Sequence, residues 1–310
     1  TGRRNRLANR FYSHGKLLLA GEYAVLDGVL ALAIPTTFGQ SLNIMDHDKP
    51  GQLHWESYLP DGNLWFSGQF ETASLILQQC SDQPIGENLQ KLLSSARSLN
   101  PEFLTNALGQ KAISRLEFPS DWGLGSSSTL INNVAQWAHI NPFTLSELSF
   151  GGSGYDIAAA QSKAVFTYQR LGTTQKVHPI KLPWTFTQNI YFVYLNKKQD
   201  SRKAIERYRS TVVSPMWHEQ MQSCVEAMLQ VRSMEEIIPL IEHHERLIGK
   251  AIGMTPVKKR LFAAYEGVVK SLGGWGGDFV MAIGPDTTPD YFKNLGYHTV
   301  ISFDDMTQKK

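Results

Sequence analysis

The stretch from Phe118 to Leu130 constrains this chain more than any other: Phe-Pro-Ser-Asp-Trp-Gly-Leu-Gly-Ser-Ser-Ser-Thr-Leu. Pro119 ends an apolar, strand-like run from Ala112 to Phe118. Gly123 and Gly125 let the backbone turn tightly and come close to another group. Ser126, Ser127, Ser128 and Thr129 then open a segment with the pattern of a helix, Leu130 to Ala138. A helix start exposes N–H groups that have no partner inside the helix, at the positive end of its dipole. Hydroxyls at the same place make it a phosphate seat. Read alone, the stretch also fits a loose loop closed by a serine N-cap, so the rest of the chain has to decide.

The 310 residues are 42% hydrophobic and 19% charged, enough to bury one core or two abutting ones. The net charge is +2 and no single-sign run dominates, so neither nucleic acid nor a membrane surface is called for. Arg3-Arg4-Asn5-Arg6 is basic, but no apolar signal segment follows it. No apolar run approaches the roughly 18 residues of a spanning helix. The chain opens on Thr1 rather than Met, which reads as a trimmed start or a tag remnant. Cys80 and Cys224 lack partners at metal-ligand spacing. They are expected as buried free thiols, which suits a reducing cytoplasm.

Taken in order, the first part is β-rich. Lys16–Ala20 is a short apolar run interrupted by Gly21-Glu22-Tyr23; Val29–Ile34 is another, stopped by Pro35; Phe38–Met45 alternates. Leu53–Tyr58 and Leu64–Ser67 flank Pro60-Asp61-Gly62-Asn63 as a hairpin. Ile85–Leu99 carries Leu89, Leu92, Leu93 and Ala96 at helical spacing. Further on, Ala164–Tyr168 and Asn189–Leu195 read as strands. Arg202–Arg209, Met216–Arg232, Met234–Ile252 and Pro256–Val269 read as helices, the last with Pro256 in its first turn. Ser271–Ile283 returns to strand-loop-strand, and Tyr297–Ser302 closes the chain as a strand. The order predicts an α+β architecture in two packed parts, 1–170 and 171–310, without a linker or repeat.

Three glycine-rich segments lie far apart in sequence. The first is Ser13-His14-Gly15-Lys16-Leu17-Leu18-Leu19-Ala20-Gly21-Glu22-Tyr23-Ala24-Val25, the second is the serine turn, and the third is Gly273-Gly274-Trp275-Gly276-Gly277-Asp278. Between the last two stands Gly151-Gly152-Ser153-Gly154-Tyr155-Asp156-Ile157-Ala158. Together, and in this order, they resemble the motifs of the GHMP family of small-molecule kinases over nearly the whole chain. The Gly-Ser-Gly-Tyr-Asp segment is most similar to phosphomevalonate kinases and to the bacterial group defined by Gly-Tyr-Asp-Ile-Ala. The chain departs from the family pattern at His14, where proline is usual, and at Tyr23, where mevalonate kinases often have histidine. It departs again at Trp275, where a small residue is usual and where the indole is expected to narrow the site.

The resemblance implies the GHMP kinase fold: a β-rich N-terminal part resembling a ribosomal-protein domain, and a C-terminal α/β part resembling a ferredoxin-like layer. It implies ATP and Mg2+ as cofactors and a small-molecule substrate, with a homodimer allowed. Catalysis would fall to Lys16 and Asp156. Nucleotide phosphates would sit on Gly123, Leu124, Gly125, Ser126, Ser127 and Ser128, with magnesium on Ser127 and Glu147. Glu22, Ser153, Lys197, Ser201, Gly274 and Gly276 would face the acceptor.

Each of these residues also has a plainer reading. Lys16 could keep a strand edge soluble. Asp156 could cap the Ile157–Gln161 helix. Glu147 could be a solvated helix residue, and Lys197–Lys203 an ordinary basic turn. His243 and His244, flanked by Glu242 and Glu245, point about 100° apart on a helix and chelate one ion poorly. Trp122, inside the turn, could flank a nucleotide. The function implied is ATP-dependent phosphorylation of a small anionic metabolite, phosphomevalonate first and mevalonate second. The alternatives are a non-catalytic nucleotide- or metabolite-binding protein and an ATP-dependent diphosphomevalonate decarboxylase.

Overall fold

A computed structural model describes residues 7–105 and 108–307. The Arg3–Arg6 run lies outside the described residues, and so does the side chain of Ser201. In chain order the strands are β1 (Leu7–Ala20), β2 (Ala31–His47), β3 (Gln52–Tyr58), β4 (Leu64–Glu71), β5 (Leu77–Cys80) and β6 (Gly109–Leu116). They continue as β7 (Phe166–Leu171), β8 (Thr174–Pro179), β9 (Ile190–Tyr194), β10 (Val268–Ser271), β11 (Phe279–Ile283) and β12 (Val300–Ser302). The helices are α1 (Gln83–Leu99), α2 (Ser126–Ala138), α3 (Pro142–Ser149), α4 (Tyr155–Gln161) and α5 (Ser201–Arg209). After them come α6 (Pro215–Met228), α7 (Met234–Ile252), α8 (Val257–Leu261), α9 (Thr288–Asn294) and α10 (Phe303–Thr307).

Two compact units interleave along the chain, where the sequence suggested one cut near residue 170. The first comprises residues 1–15, 38–120 and 125–161; the second comprises 16–37, 121–124 and 162–310. Strands β1 and β2 each contribute residues to both.

In the first unit β3 and β4 form the antiparallel hairpin that Pro60–Asn63 announces. Strand β6 then runs parallel to β3 and antiparallel to β2. A parallel neighbour needs a long crossover, and β4, β5 and α1 supply it. Leu89, Leu92, Leu93 and Ala96 line the buried face of α1 and meet Leu53, Trp55, Phe66 and Phe70 from the sheet. Helices α2, α3 and α4 pack on one another, and α2 and α3 on α1.

In the second unit residues Ala31–Ala33 of β2 pair with β7, and β7 pairs with β8. A separate antiparallel sheet runs in the order β10-β11-β9-β12. One core beside it gathers Val193, Val269, Val280 and Phe262; another gathers Tyr23, Tyr208, Trp217, Ile248 and Trp275.

Several local expectations change. Pro35 does not stop its strand: β2 continues through it to His47. The proline falls between the β7-paired residues 31–33 and the β6-paired residues 40–47, where its missing N–H breaks no ladder bond to those two strands. The predicted helix 256–269 is only the short α8, and Val268–Ser271 is a strand. Its β-branched valines pair with Ile283 and Ala282. Cys224 is buried as expected, but Cys80 is only half-buried at a strand end.

Candidate active site

The serine turn folds as its residues dictate. Gly125 is the residue before α2 and has φ +93°, a left-handed conformation that glycine adopts without penalty. The first bond inside the helix runs from Thr129 N–H to Gly125 O (3.0 Å), so the amides of Ser126, Ser127 and Ser128 have no intrahelical acceptor. Ser128 is buried and its Oγ donates back to Gly125 O at 3.1 Å. Ser127 is exposed, which leaves it as the better placed of the two hydroxyls for an ion. Strands of the same unit grip this first turn. Gln40 Nε2 donates to Ser126 O (2.9 Å) and to Thr129 Oγ1 (2.7 Å). Asn132 Nδ2 donates to Ser13 Oγ (2.8 Å), which in turn donates to Asn133 Oδ1 (2.7 Å). The residues just ahead of Gly15 are thereby fixed to α2.

Helix α4 packs on α2 within this unit. Asp156 lies in the first turn of α4 rather than before it, half-buried, and its Oδ1 accepts from Ile157 N–H at 2.9 Å. Ser153 is buried in the loop just ahead of it. Glu147 is exposed on α3.

In the second unit Lys16 Nζ donates to Gly123 O at 2.7 Å, and Lys16 N–H donates to Leu124 O at 2.9 Å. Lysine and serine turn are therefore tied together through Gly123, three residues before α2 begins. Gly123 has φ +70°, and a Cβ there would lie 2.8 Å from the Asp278 carboxyl carbon. Asp278 Oδ1 accepts from Gln199 N–H (2.9 Å), and Asp278 N–H donates to Lys197 O (2.7 Å). A Cβ on Gly274 would meet the Gln199 side chain at 2.5 Å, so glycine is what lets these two loops close. Burial raises the Asp278 carboxyl above its ordinary range, opposed by the Gln199 N–H and by the Lys16 and Lys198 ammonium groups. Lys16, Gly123, Lys197, Gly274 and Gly276 are thus gathered in one place in this unit, with Asp278 as a hub to which the sequence reading gave no role. Lys197 takes part through its backbone while its side chain is exposed. Trp122 is half-buried, with its ring edge-on to Phe279 at 5.4 Å.

By sequence, no family model and no curated protein matches this chain. By structure it is similar to Streptococcus pneumoniae phosphomevalonate kinase in complex with phosphomevalonate and AMPPNP, with TM-score 0.70, 16% identity, and 95% of this chain and 99% of that one covered. It is also similar to Methanococcus jannaschii mevalonate kinase (0.69, 16%, 97% of each) and to Lactococcus lactis galactokinase complexed with galactose (0.67, 12%, 94% and 92%). The chain has the GHMP kinase fold.

On this GHMP scaffold, two of the atypical residues turn inward. Trp275 is 1% exposed and packs into the core with Tyr23, Trp217 and Ile248. A Cβ on Gly249 of α7 would stand 2.6 Å from Met254 O and only in ordinary contact with the indole at 3.6 Å, so the carbonyl is what demands glycine there. The expected narrowing of the site by Trp275 is not what this ring does; it fills the core beneath the loop. Tyr23 has φ +59° and stacks on Tyr208 with ring centroids 5.5 Å apart.

Glu22, expected to face the acceptor, is 2% exposed and its Oε1 accepts from Lys270 Nζ at 2.5 Å. Around this pair sit His244 and Glu245 of α7, whose ligand atoms and those of Glu22 lie within 4.8 Å of one another. Gly21 N–H donates to His244 Nε2 (3.0 Å), so the ring proton is on Nδ1, 4.0 Å from Glu22 Oε2. Burial and the Lys270 charge hold His244 neutral. Burial also lifts Glu245 to about 8, against the pull of Lys270. Three potential metal ligands converge, yet the Lys270 ammonium already supplies the positive charge that a cation would bring. The site is a charge-balanced buried knot.

Proposed function

We propose that this chain is an ATP-dependent small-molecule kinase of the GHMP type, with a small anionic metabolite as acceptor: phosphomevalonate first, mevalonate second. The observation that carries the reading is the Lys16 ammonium fixed on the carbonyl of Gly123, in the turn that opens the serine helix. The amides of Ser126–Ser128, which have no intrahelical acceptor and follow two left-handed glycines, fit phosphate oxygens. The S. pneumoniae relative, in complex with phosphomevalonate and AMPPNP, points to the same ligand classes.

Each residue then has a defined task. The amides of α2 hold phosphate oxygens, and the Lys16 ammonium stabilises charge that builds up during transfer. Ser127, with Glu147 as a second candidate ligand, would hold magnesium, which would neutralise phosphate charge there. Asp156 accepts the proton of an acceptor hydroxyl. With a phosphate acceptor that proton is already gone near neutral pH, and Asp156 orients the acceptor instead. The cations of Lys197–Lys203 attract an anionic acceptor.

Coupled ADP release across mevalonate, phosphomevalonate, homoserine and galactose, with wild type and Asp156→Asn, tests this. Phosphomevalonate should release ADP in the wild type, and Asp156→Asn should cut the rate by about 10²-fold, the cost of a misplaced acceptor. Equal turnover by Asp156→Asn removes Asp156 from the mechanism. ATP binding without ADP release for any acceptor removes the kinase reading in favour of a non-catalytic binding protein.

A further inference from the structure

Within the second unit, Asp121, Trp122, Gly123 and Leu124 of the serine turn are each held by a group from a distant part of the chain. Tyr194 Oη donates to Asp121 O (3.0 Å), and the Phe279 ring meets Trp122 edge-on. Lys16 donates to Gly123 O through Nζ and to Leu124 O through its backbone N–H. Asp278 precedes Phe279, and its carbonyl accepts from Leu195 N–H (2.9 Å), the residue after Tyr194. Its carboxyl lies against the open face of Gly123, where a Cβ would stand 2.8 Å from the carboxyl carbon. The carboxyl therefore backs the residue of the turn whose carbonyl carries the Lys16 ammonium.

Asp278 keeps this place at a cost. Its φ is +56°, a left-handed conformation that strains any residue with a side chain. Glycine at 278 would relax the backbone, and the loop before it is already rich in glycine. A side chain retained in a strained conformation points to a task for it. The structure shows two. The carboxyl fills the space behind Gly123, and its Oδ1 accepts from Gln199 N–H at 2.9 Å. The serine turn and the basic turn at Lys197–Gln199 thus take their positions from opposite sides of one side chain.

We propose that Asp278 is the positioning residue of the phosphate turn: wedged between Gly123 and Gln199, it fixes the Gly123 carbonyl on which the Lys16 ammonium sits, three residues ahead of the amides of α2. The inference rests on the kinase reading for the class of ligand, a nucleoside triphosphate. Asp278 acts through the turn and not on the phosphates themselves. A phosphate chain is gripped by groups at set spacing, so a turn free to shift by about 1 Å loses both affinity and rate.

Isothermal titration of the full chain with ATP in the presence of Mg2+ tests the proposal. Asparagine tolerates the left-handed conformation, has the shape of aspartate and keeps an oxygen for the Gln199 N–H. Asp278→Asn should therefore bind ATP to within about 3-fold of wild type. Asp278→Gly relaxes the backbone but empties the space and drops the acceptor, and should lose about 10-fold or more. Ile241→Ala opens a hole in the core under α7, where Ile241 is fully buried, and should keep ATP affinity to within about 2-fold. That control separates lost position from lost stability, and circular dichroism checks that all three variants fold. Asp278→Gly binding as tightly as wild type overturns the proposal. So does Asp278→Asn binding as weakly as Asp278→Gly, or Ile241→Ala losing as much as either. ATP binding without ADP release removes the kinase reading and leaves this comparison standing, whereas no ATP binding by the wild type overturns both.

Discussion

Replacing Gly123 with alanine probes the contact that joins the serine turn to the third glycine loop. Two costs arise. A Cβ at φ +70° carries a left-handed penalty of about 1–2 kcal/mol. That Cβ would also stand 2.8 Å from the carboxyl carbon of Asp278 and 2.9 and 3.0 Å from its oxygens, so the carboxylate must move as a whole. Moving it breaks the 2.9 Å bond from Gln199 N–H, a hydrogen bond to a charged group worth about 1.5–3 kcal/mol. The expected destabilisation is therefore about 2.5–5 kcal/mol, read by urea unfolding followed through tryptophan fluorescence. A double-mutant cycle separates the two costs. Asp278 itself has φ +56°, so Asp278→Gly removes the carboxylate without adding backbone strain. In the Asp278→Gly background, Gly123→Ala should cost only the backbone part, about 1–2 kcal/mol. If alanine costs the same in both backgrounds to within about 0.5 kcal/mol, the carboxylate is not what demands glycine, and the reasoning fails.

Two further outcomes follow from the buried groups. Trp275→Ala should destabilise by about 3–5 kcal/mol, because the indole is 1% exposed and fills a core; a loss under about 1 kcal/mol by calorimetric unfolding would mean that the core collapses onto the space. Glu245 is held at about 8 in the folded chain against 4.5 when free, so the folded state binds the extra proton between those values and stability falls as pH rises through that window. Gln carries no such proton. Glu245→Gln should therefore flatten the decline, gaining up to about 3 kcal/mol over wild type between pH 6 and pH 8.5 in urea unfolding curves. An unchanged slope would remove Glu245 as the titrating group.

What the sequence revealed was local. The hairpin at Pro60–Asn63, the apolar face of α1 and the left-handed Gly123 and Gly125 are all dictated by residues within a few positions of one another. Where a distant partner decides, the pattern misled. Val268 and Val269 continue a plausible helical register from Pro256, but their pairing with Ile283 and Ala282 makes them a strand. Pro35 looks like a stop until the neighbours on either side are known. In the site, the lysine and the glycines could be singled out by their resemblance to the GHMP motifs, whereas Asp278 became visible only once Gln199 and Gly123 were seen against it. His244, Glu245 and Lys270 are polar residues that a sequence reading assigns to a wet surface; Lys270 and Glu22, 248 positions apart, make burial tolerable by pairing. Trp275, set among glycines, gave no sign that its ring would be a core residue.

The interleaving of the two units bears on how the chain leaves the ribosome. Residues Ala31–Ala33 emerge early, but their β7 partners Phe166–Tyr168 follow only after about 135 more residues have been made. At about 5–20 residues per second, that apolar edge waits roughly 7–27 seconds for its neighbour. A nascent chain of this design spends that interval with an open strand, and its yield in a cell should depend on what shields the edge meanwhile.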